Sequence, residues 1–194
     1  MAFALSTAIE QVLPWVADDE HIGIHHIFGA ESGNGWLRPE NTENEILFLS
    51  RRQKLTIRIS KERLADIQAL TGQMLSVEGH ELIVGKSTVR KLSDMNIVFA
   101  RNVVVSESGV SEDDILKDCI SQLSELGISV KKMMCGREST LQLPDKQLIT
   151  RGLMIADLEK PDSVKVQEQG LGVGRKLGCG LFLPQKVIDP VIPD

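Results

Sequence analysis

Tyrosine is missing from the 194 residues altogether, and the aromatic share of 4 % rests on Trp15, Trp36 and five phenylalanines. A sheet that stacks single-stranded bases on exposed rings is therefore not expected. Phe28, Phe48, Phe99 and Phe182 fall within apolar stretches and read as core. Cysteine is scarce too: Cys119, Cys135 and Cys179 lie far apart with no C-x-x-C pair. That argues against a disulfide framework or a zinc site and for a reducing, cytoplasmic setting. No apolar run approaches the roughly 20 residues a membrane helix needs. The first thirteen residues contain Glu10 and no basic start, so they do not read as a secretory leader. A basic excess is lacking as well, with 22 Lys+Arg against 27 Asp+Glu and a net charge of −5. Indiscriminate coating of nucleic acid is thereby disfavoured, while a local basic groove stays open. What is present suits a globular chain, because a hydrophobic fraction of 42 % can bury a core. The length fits one domain or two small ones.

Periodicity supplies the elements. Leu5, Ile9, Val12 and Leu13 recur at helical spacing before Pro14. Residues 22–28 alternate, with Ile22, Ile24, His26 and Phe28 on one face, and residues 46–50 and 54–59 also read as strands. Ser60 is placed to cap a helix burying Leu64, Ile67 and Leu70, with Gly72 as its stop. Short extended pieces are expected at 74–77, 82–84 and 88–92. In the second half, residues 97–105 read as a buried strand. Ser111 then caps a helix whose first turn holds Glu112, Asp113 and Asp114 at the positive end of its dipole. Its inward face is predicted as Leu116, Ile120, Leu123 and Leu126, with Gly127 as terminator. Strands are expected at 130–134, 140–143 and 148–156, a short helix from Asp162 or Ser163 to Gln169, and a last strand over 180–184. The order strand, helix, two strands, helix, strand is the split βαβ pattern. The predicted class is therefore α+β, as two tandem ferredoxin-like (RRM-like) βαββαβ units over 1–94 and 95–194. The first lacks its opening strand.

The strongest local signal is the hook from Gln169 to Gly180, in which Gly170, Gly172, Gly174, Gly178 and Gly180 surround Arg175 and Lys176. Glycines at left-handed positions allow backbone amides to approach a phosphate, and two cations would strengthen such a nest. It is neither a Walker loop nor a G-x-G-x-x-G turn, since Leu177 stands where the last glycine belongs. The plain structural alternative is a glycine-rich turn with a solvated basic pair. A second signal is the basic run Arg51, Arg52, Lys54, Arg58 and Lys61, with no acid between Ile46 and Lys61. It reads equally as a phosphate-attracting surface or as a solvated strand edge. Among His21, His25, His26 and His80, the spacing does not converge on a metal. His25 or His26 is chemically able to take the hydroxyl proton of a ribose, although a histidine on an apolar strand face is more often a hydrogen-bonded core residue. If RNA is bound, the shortage of aromatics points to a structured hairpin recognised through phosphates and shape.

At the hook the sequence resembles the C-terminal signature of the CRISPR-associated endoribonucleases that mature guide RNA, in the RAMP superfamily, and within them the short subgroup of myxobacterial type. The segments Gly170–Pro184, Leu13–Val16, Ile24–Ile27, Leu55–Ile59, Val77–Gly85 and Phe99–Val104 carry the likeness. The resemblance implies a metal-independent, cofactor-free cut in the repeat hairpin of precursor RNA. A ribose hydroxyl attacks the adjacent phosphate, and a histidine and a basic residue assist. It further implies residence with other CRISPR interference subunits. The subgroup opens with a strand and an Asp-His-Gly turn, and Met1 stands at that histidine's position, so the residue is not carried over. His25 and His26 are the candidates left for catalysis. Two alternatives stand beside this reading: a repeat-RNA-binding subunit without catalysis, and an unrelated ferredoxin-like binder of small molecules.

Overall fold

The computed structural model describes residues 2–27, 54–105 and 109–186. The expected strand over 46–50, the cations Arg51 and Arg52, and the end of the strand expected over 22–28 lie outside those residues.

Helix α1 (Ala2–Val12) buries Leu5, Ala8 and Ile9, and Leu13 continues the stripe one turn on. Pro14 ends it as expected, but the chain turns at once into the single-turn helix α2 (Trp15–Asp18). Strands β1 (Gly23–Ile24) and β2 (Ile57–Arg58) pair antiparallel and are far shorter than the alternation predicts. The helix expected after Ser60 is instead two 3₁₀ turns, Lys61–Leu64 and Asp66–Leu70, and the Ser60 side chain makes no cap. Only Leu70 of this stretch is buried, so little apolar area is gained by completing an α-helix against the core. Strands β3 (Met74–Val77) and β4 (His80–Ile83) form a hairpin. Its two-residue turn places Glu78 at φ 52 and Gly79 at φ 81, the primed geometry that suits strand twist. No strand forms over 88–92, where Val89 is exposed. These elements share a core that includes Ile9, Val16, Ile22, Ile24 and Leu75.

The second half follows its pattern more closely. Strand β5 (Val98–Val104), helix α3 (Glu112–Glu125), strands β6 (Lys132–Gln142) and β7 (Gln147–Ala156), helix α4 (Lys160–Gln169) and strand β8 (Leu183–Pro184) build an antiparallel sheet in the order β6-β7-β5-β8. The two pieces expected at 130–134 and 140–143 are one long strand, bent by a bulge between Cys135 and Glu138. A second bulge, between Ala100 and Val103 of β5, lies at the same level, because Arg151 pairs with both Val103 and Glu138. The Ser111 hydroxyl accepts from the Asp114 amide at 3.2 Å, the N-cap read from the sequence. The inward face of α3 is rotated from expectation: Ile115, Cys119 and Leu123 are buried, and Ile120 is 45 % exposed. Cys119 acts here as a small hydrophobe and completes an i, i+4 stripe with its neighbours. This second core joins Val98, Leu123, Leu153, Ile155, Val166 and Phe182.

Helix α4 also fixes the link between the halves. The Ser163 hydroxyl donates to the Met95 carbonyl at 2.5 Å, and Gln167 Nε2 donates to the Ser93 carbonyl at 2.6 Å. Both residues are buried, and the Ser163 hydroxyl and Gln167 Nε2 each find a backbone acceptor, while Gln167 Oε1 is buried without a hydrogen-bond partner among the described residues.

Candidate functional site

The glycine-rich hook does not stand free. It runs between α4 and β8 and lies against the first half of the chain, touching β1 and α1. Most of its amides already have partners: Gly170 donates to Val166, Leu171 to Gly180, Leu177 and Cys179 to Gly174, Gly178 to Arg175, and Gly180 to Asn102. The Gly172 amide donates to Gln122 Oε1 at 3.2 Å. An open cradle of amides around a phosphate, as the sequence suggested, is thus not the arrangement present. The glycines serve close packing instead. A Cβ on Gly180 would strike the Leu171 carbonyl, and one on Gly178 would lie 2.6 Å from His26 Nε2. Gly172 and Gly174 have positive φ and shape the tip that exposes Val173.

The cations of the hook likewise face inward. Arg175 is 9 % exposed. Its Nη2 donates to His21 O at 2.8 Å and Glu168 O at 2.9 Å, Nη1 to Gln169 O at 2.5 Å, and Nε to His21 O at 3.2 Å. The His21 carbonyl belongs to a short turn whose His21 and Ile22 amides both donate to Asp19 Oδ1. Lys176, half-exposed, reaches the Ala17 carbonyl. Arg58, read from the sequence as a surface cation, is the mirror image of Arg175. From β2 it crosses to the other half, donating to Gln167 O at 2.6 Å and Phe182 O at 2.8 Å. Gln167, Glu168 and Gln169 end α4, where carbonyls lack intrahelical partners and the dipole is negative. One guanidinium from each half therefore caps the same helix terminus.

Two histidines sit beside these arginines. His25 pairs through its amide with Thr56 O, and its ring Nε2 is buried with no partner. Burial, then the charges of Arg58, His26 and Arg175, push its pKa down to about 4, so the ring is neutral at pH 7. Burial and the neighbouring Arg175 lower Arg58 to about 10. Burial also lowers Arg175, against the opposing pull of Asp19. His26 Nε2 lies 2.6 Å from the Leu177 carbonyl inside the hook. The seam therefore brings together His25, His26, Arg58, Arg175, Lys176 and Gly178 from distant parts of the sequence. Lys54 lies exposed beyond β2, and the described residues show no contact between it and this group. Sequence reasoning missed Asp19, Gln167 and the carbonyls of His21 and Leu177. A main-chain acceptor leaves no signature in side-chain chemistry.

The sequence model described as Cas6 Crispr matches residues 1–187. The chain belongs to the Cas6 family. A CRISPR-associated endonuclease Cas6 of Myxococcus xanthus is 27 % identical over 183 residues, covering 94 % of this chain and 74 % of that protein. Among solved structures, a CRISPR associated protein Cas6 superposes with a TM-score of 0.55 at 10 % identity, over 95 % of this chain and 91 % of the other. A Cas6-related protein from Pyrococcus furiosus gives 0.52 at 14 % identity, over 97 % and 89 %. Thermus thermophilus Cse3, bound to an RNA representing a pre-cleavage complex, gives 0.50 at 11 % identity, over 93 % and 87 %. At these identities the structures establish a shared mixed α+β fold. In this Cas6 chain the hollow on the α3 side of the hook, about 210 Å³ and lined by Gln122, Glu125, Leu126 and residues 169–172, carries a carboxylate. It is a poor place for a phosphate. Cys119 and Cys179 are buried, and burial holds both thiols protonated at about 11, so neither suits nucleophilic work. Among the described residues, no helix is long and apolar enough to cross a membrane, and no cluster of His, Cys, Asp or Glu is placed to hold a metal.

Proposed function

We propose that this Cas6 chain matures CRISPR guide RNA by binding the repeat hairpin of the precursor transcript and cutting it without a metal ion. The reading rests on one observation. The family match over residues 1–187 spans a seam at which His26 meets the glycine-rich hook and Arg58 and Arg175, from far-apart segments, cap the same end of α4. The names of the relatives support it: one is an endonuclease, and another was captured with a pre-cleavage RNA.

In the proposed reaction the O2′–H bond of a ribose breaks, and its oxygen attacks the adjacent phosphorus. The P–O5′ bond breaks with its electron pair leaving on the 5′-oxygen, which takes a proton from water. The products are a cyclic phosphate and a 5′-hydroxyl. His26, which meets the hook, receives the ribose proton. His25, neutral and buried, lies behind it and keeps a further positive charge out of the seam. The basic run Arg51, Arg52 and Lys54, with Lys176 at the hook, contacts the RNA backbone as diffuse charge. Arg58, Arg175, Gly178 and Gly180 hold the seam in shape, and Gly172 and Gly174 present its tip.

The chain is read as two ferredoxin-like units over 1–94 and 95–194. For the second, support comes from the order β6-β7-β5-β8 with a helix in each crossover. For the first, it comes from a separate core shared by α1, β1 and the β3–β4 hairpin. The cut guide remains on its hairpin and enters a cytoplasmic interference complex with other CRISPR subunits.

The test is incubation with the repeat hairpin from the same genome in the presence of EDTA. A single cut leaving a cyclic phosphate, lost in His26→Ala, is the expected result. A hairpin that is bound and never cut assigns the chain to RNA binding alone, and no binding rejects the reading.

A further inference from the structure

The far end of the hook is fastened to the sheet at Asn102. This residue lies in β5 where the pairing to β7 is interrupted. Ala100 faces Leu153 and Val103 faces Arg151, so Arg101 and Asn102 share Gly152 as their opposite residue. On the other side of β5 the Asn102 carbonyl accepts the Gly180 amide at 2.7 Å. Register accounts for that bond. Strand β8 sets Pro184 against Val98 and Leu183 against Phe99, and the same register carried back into the hook sets Gly180 against Asn102. Gly180 O in turn accepts from the Leu171 amide at 3.2 Å, which closes the hook upon itself. From Gly180 the chain leads back through Cys179 to Gly178, where any Cβ would strike the His26 ring. Just before it stands Leu177, whose carbonyl lies 2.6 Å from His26 Nε2.

A side chain bridges the interrupted pairing. Thr150 Oγ1, on β7, lies 3.3 Å from Asn102 Oδ1 and 3.2 Å from the Ser139 carbonyl of β6. A hydroxyl has one hydrogen, so Thr150 shares it between acceptors on the two strands that flank its own. Thr150 is 1 % exposed, and the cost of burying an unpaired hydroxyl keeps it on these partners. Both flanking strands are bulged at this level, β5 between Ala100 and Val103 and β6 between Cys135 and Glu138. With the main-chain ladder broken beside Asn102, the Thr150 hydroxyl is the group that ties its side chain to β7.

We propose that Asn102 is a positioning residue: tied by its side chain to Thr150, it holds its own carbonyl where the Gly180 amide seats the hook against His26. This rests on the reading that the chain cuts the repeat hairpin with His26 at the seam. A shift of about 1 Å at a group near the reacting atoms costs on the order of a hundredfold in rate, so a seat set by two hydrogen bonds matters to chemistry more than to binding.

Thr150→Val removes the hydroxyl and keeps the shape, and native-state hydrogen exchange reads the seat. The Gly180 amide should exchange at least about tenfold faster than in wild type. The Val105 amide, bonded to Ile149 O just past the end of β5, should keep its rate. On the repeat hairpin the single-turnover rate should fall at least about fivefold, with affinity for a hairpin carrying a 2′-deoxyribose at the cut staying within about twofold. Thr150→Ser restores the hydroxyl and should bring exchange and cutting back to within about twofold of wild type. Equal acceleration of both amides marks a purely structural role and overturns the inference, as does an unchanged Gly180 amide. A freed Gly180 amide with cutting unaffected overturns the positioning role. If Thr150→Val does not fold, Asn102→Ala gives the same comparison, because it keeps the carbonyl and removes the tie. A hairpin left uncut by wild-type protein sinks the cleavage reading and the positioning role with it, whereas Gly180 exchange still decides whether the tie seats the hook.

Discussion

His25 makes the stability of this protein depend on pH in a range where carboxylates are usually blamed. The ring is largely buried, its Nε2 wholly so, within electrostatic reach of Arg58, His26 and Arg175, and its pKa falls from the ordinary 6.5 to about 4. In the unfolded chain the same ring takes a proton as the pH drops through 6.5, while the folded protein does not. The unfolded state then binds more protons, so stability is lost as the pH falls from about 6.5 towards 4 and levels off below that for this group. A shift of this size is worth about 3 kcal/mol, a large part of the ~5–15 kcal/mol that hold a typical domain. Other groups titrate over the same range, so the assay is a difference. Urea unfolding of wild type and His25→Gln should be followed at pH 7, 6, 5 and 4. Relative to pH 7, the variant should gain on wild type by about 3 kcal/mol at pH 4. A difference that stays constant with pH would refute the claim that His25 is held neutral by its surroundings.

Other perturbations probe the seam and the helices. Arg58→Met should cost about 2 kcal/mol by leaving the Gln167 and Phe182 carbonyls without their charged donor. It should also raise the His25 pKa, which an NMR titration reads directly, because one of the charges depressing it is gone. Gly180→Ala and Gly172→Ala form a contrast, since both residues have positive φ but only Gly180 has a backbone oxygen in the way. Denaturation should show a loss of about 1 kcal/mol for Gly172→Ala and clearly more for Gly180→Ala. Equal losses would mean that the hook is less tightly packed than described. Ser111→Ala should lower stability by about 1 kcal/mol through loss of the α3 cap, with RNA cleavage unchanged at temperatures well below unfolding.

The second half was more legible than the first for a physical reason. Its strands carry strong apolar alternation, as in Val98 with Ala100 and Leu153 with Ile155, and Ser111 with three acids announces α3. Where orientation was misread, a single residue explains it: Cys119 packs as a hydrophobe and turns Ile120 outward. In the first half the stretch from Lys61 to Leu70 has helical spacing but buries only Leu70, so tertiary contacts do not reward a full helix. The site was legible as a set of residues and not as an arrangement. Arg175, Lys176 and Arg58 were visible as charges, which suggested phosphates. Their actual acceptors are main-chain carbonyls at His21, Ala17, Gln167, Glu168, Gln169 and Phe182, and any amino acid at those positions would present the same oxygen.

The shared cap on α4 makes the halves mutually dependent. Severed near Ser93, the amino-terminal fragment would carry an Arg58 whose two acceptors had departed with the other piece. The carboxyl-terminal fragment would keep Arg175 and lose the His21 oxygen that completes its set. Each piece alone would hold a guanidinium short of carbonyl partners, and mixing the two should restore the partnership without any covalent bridge.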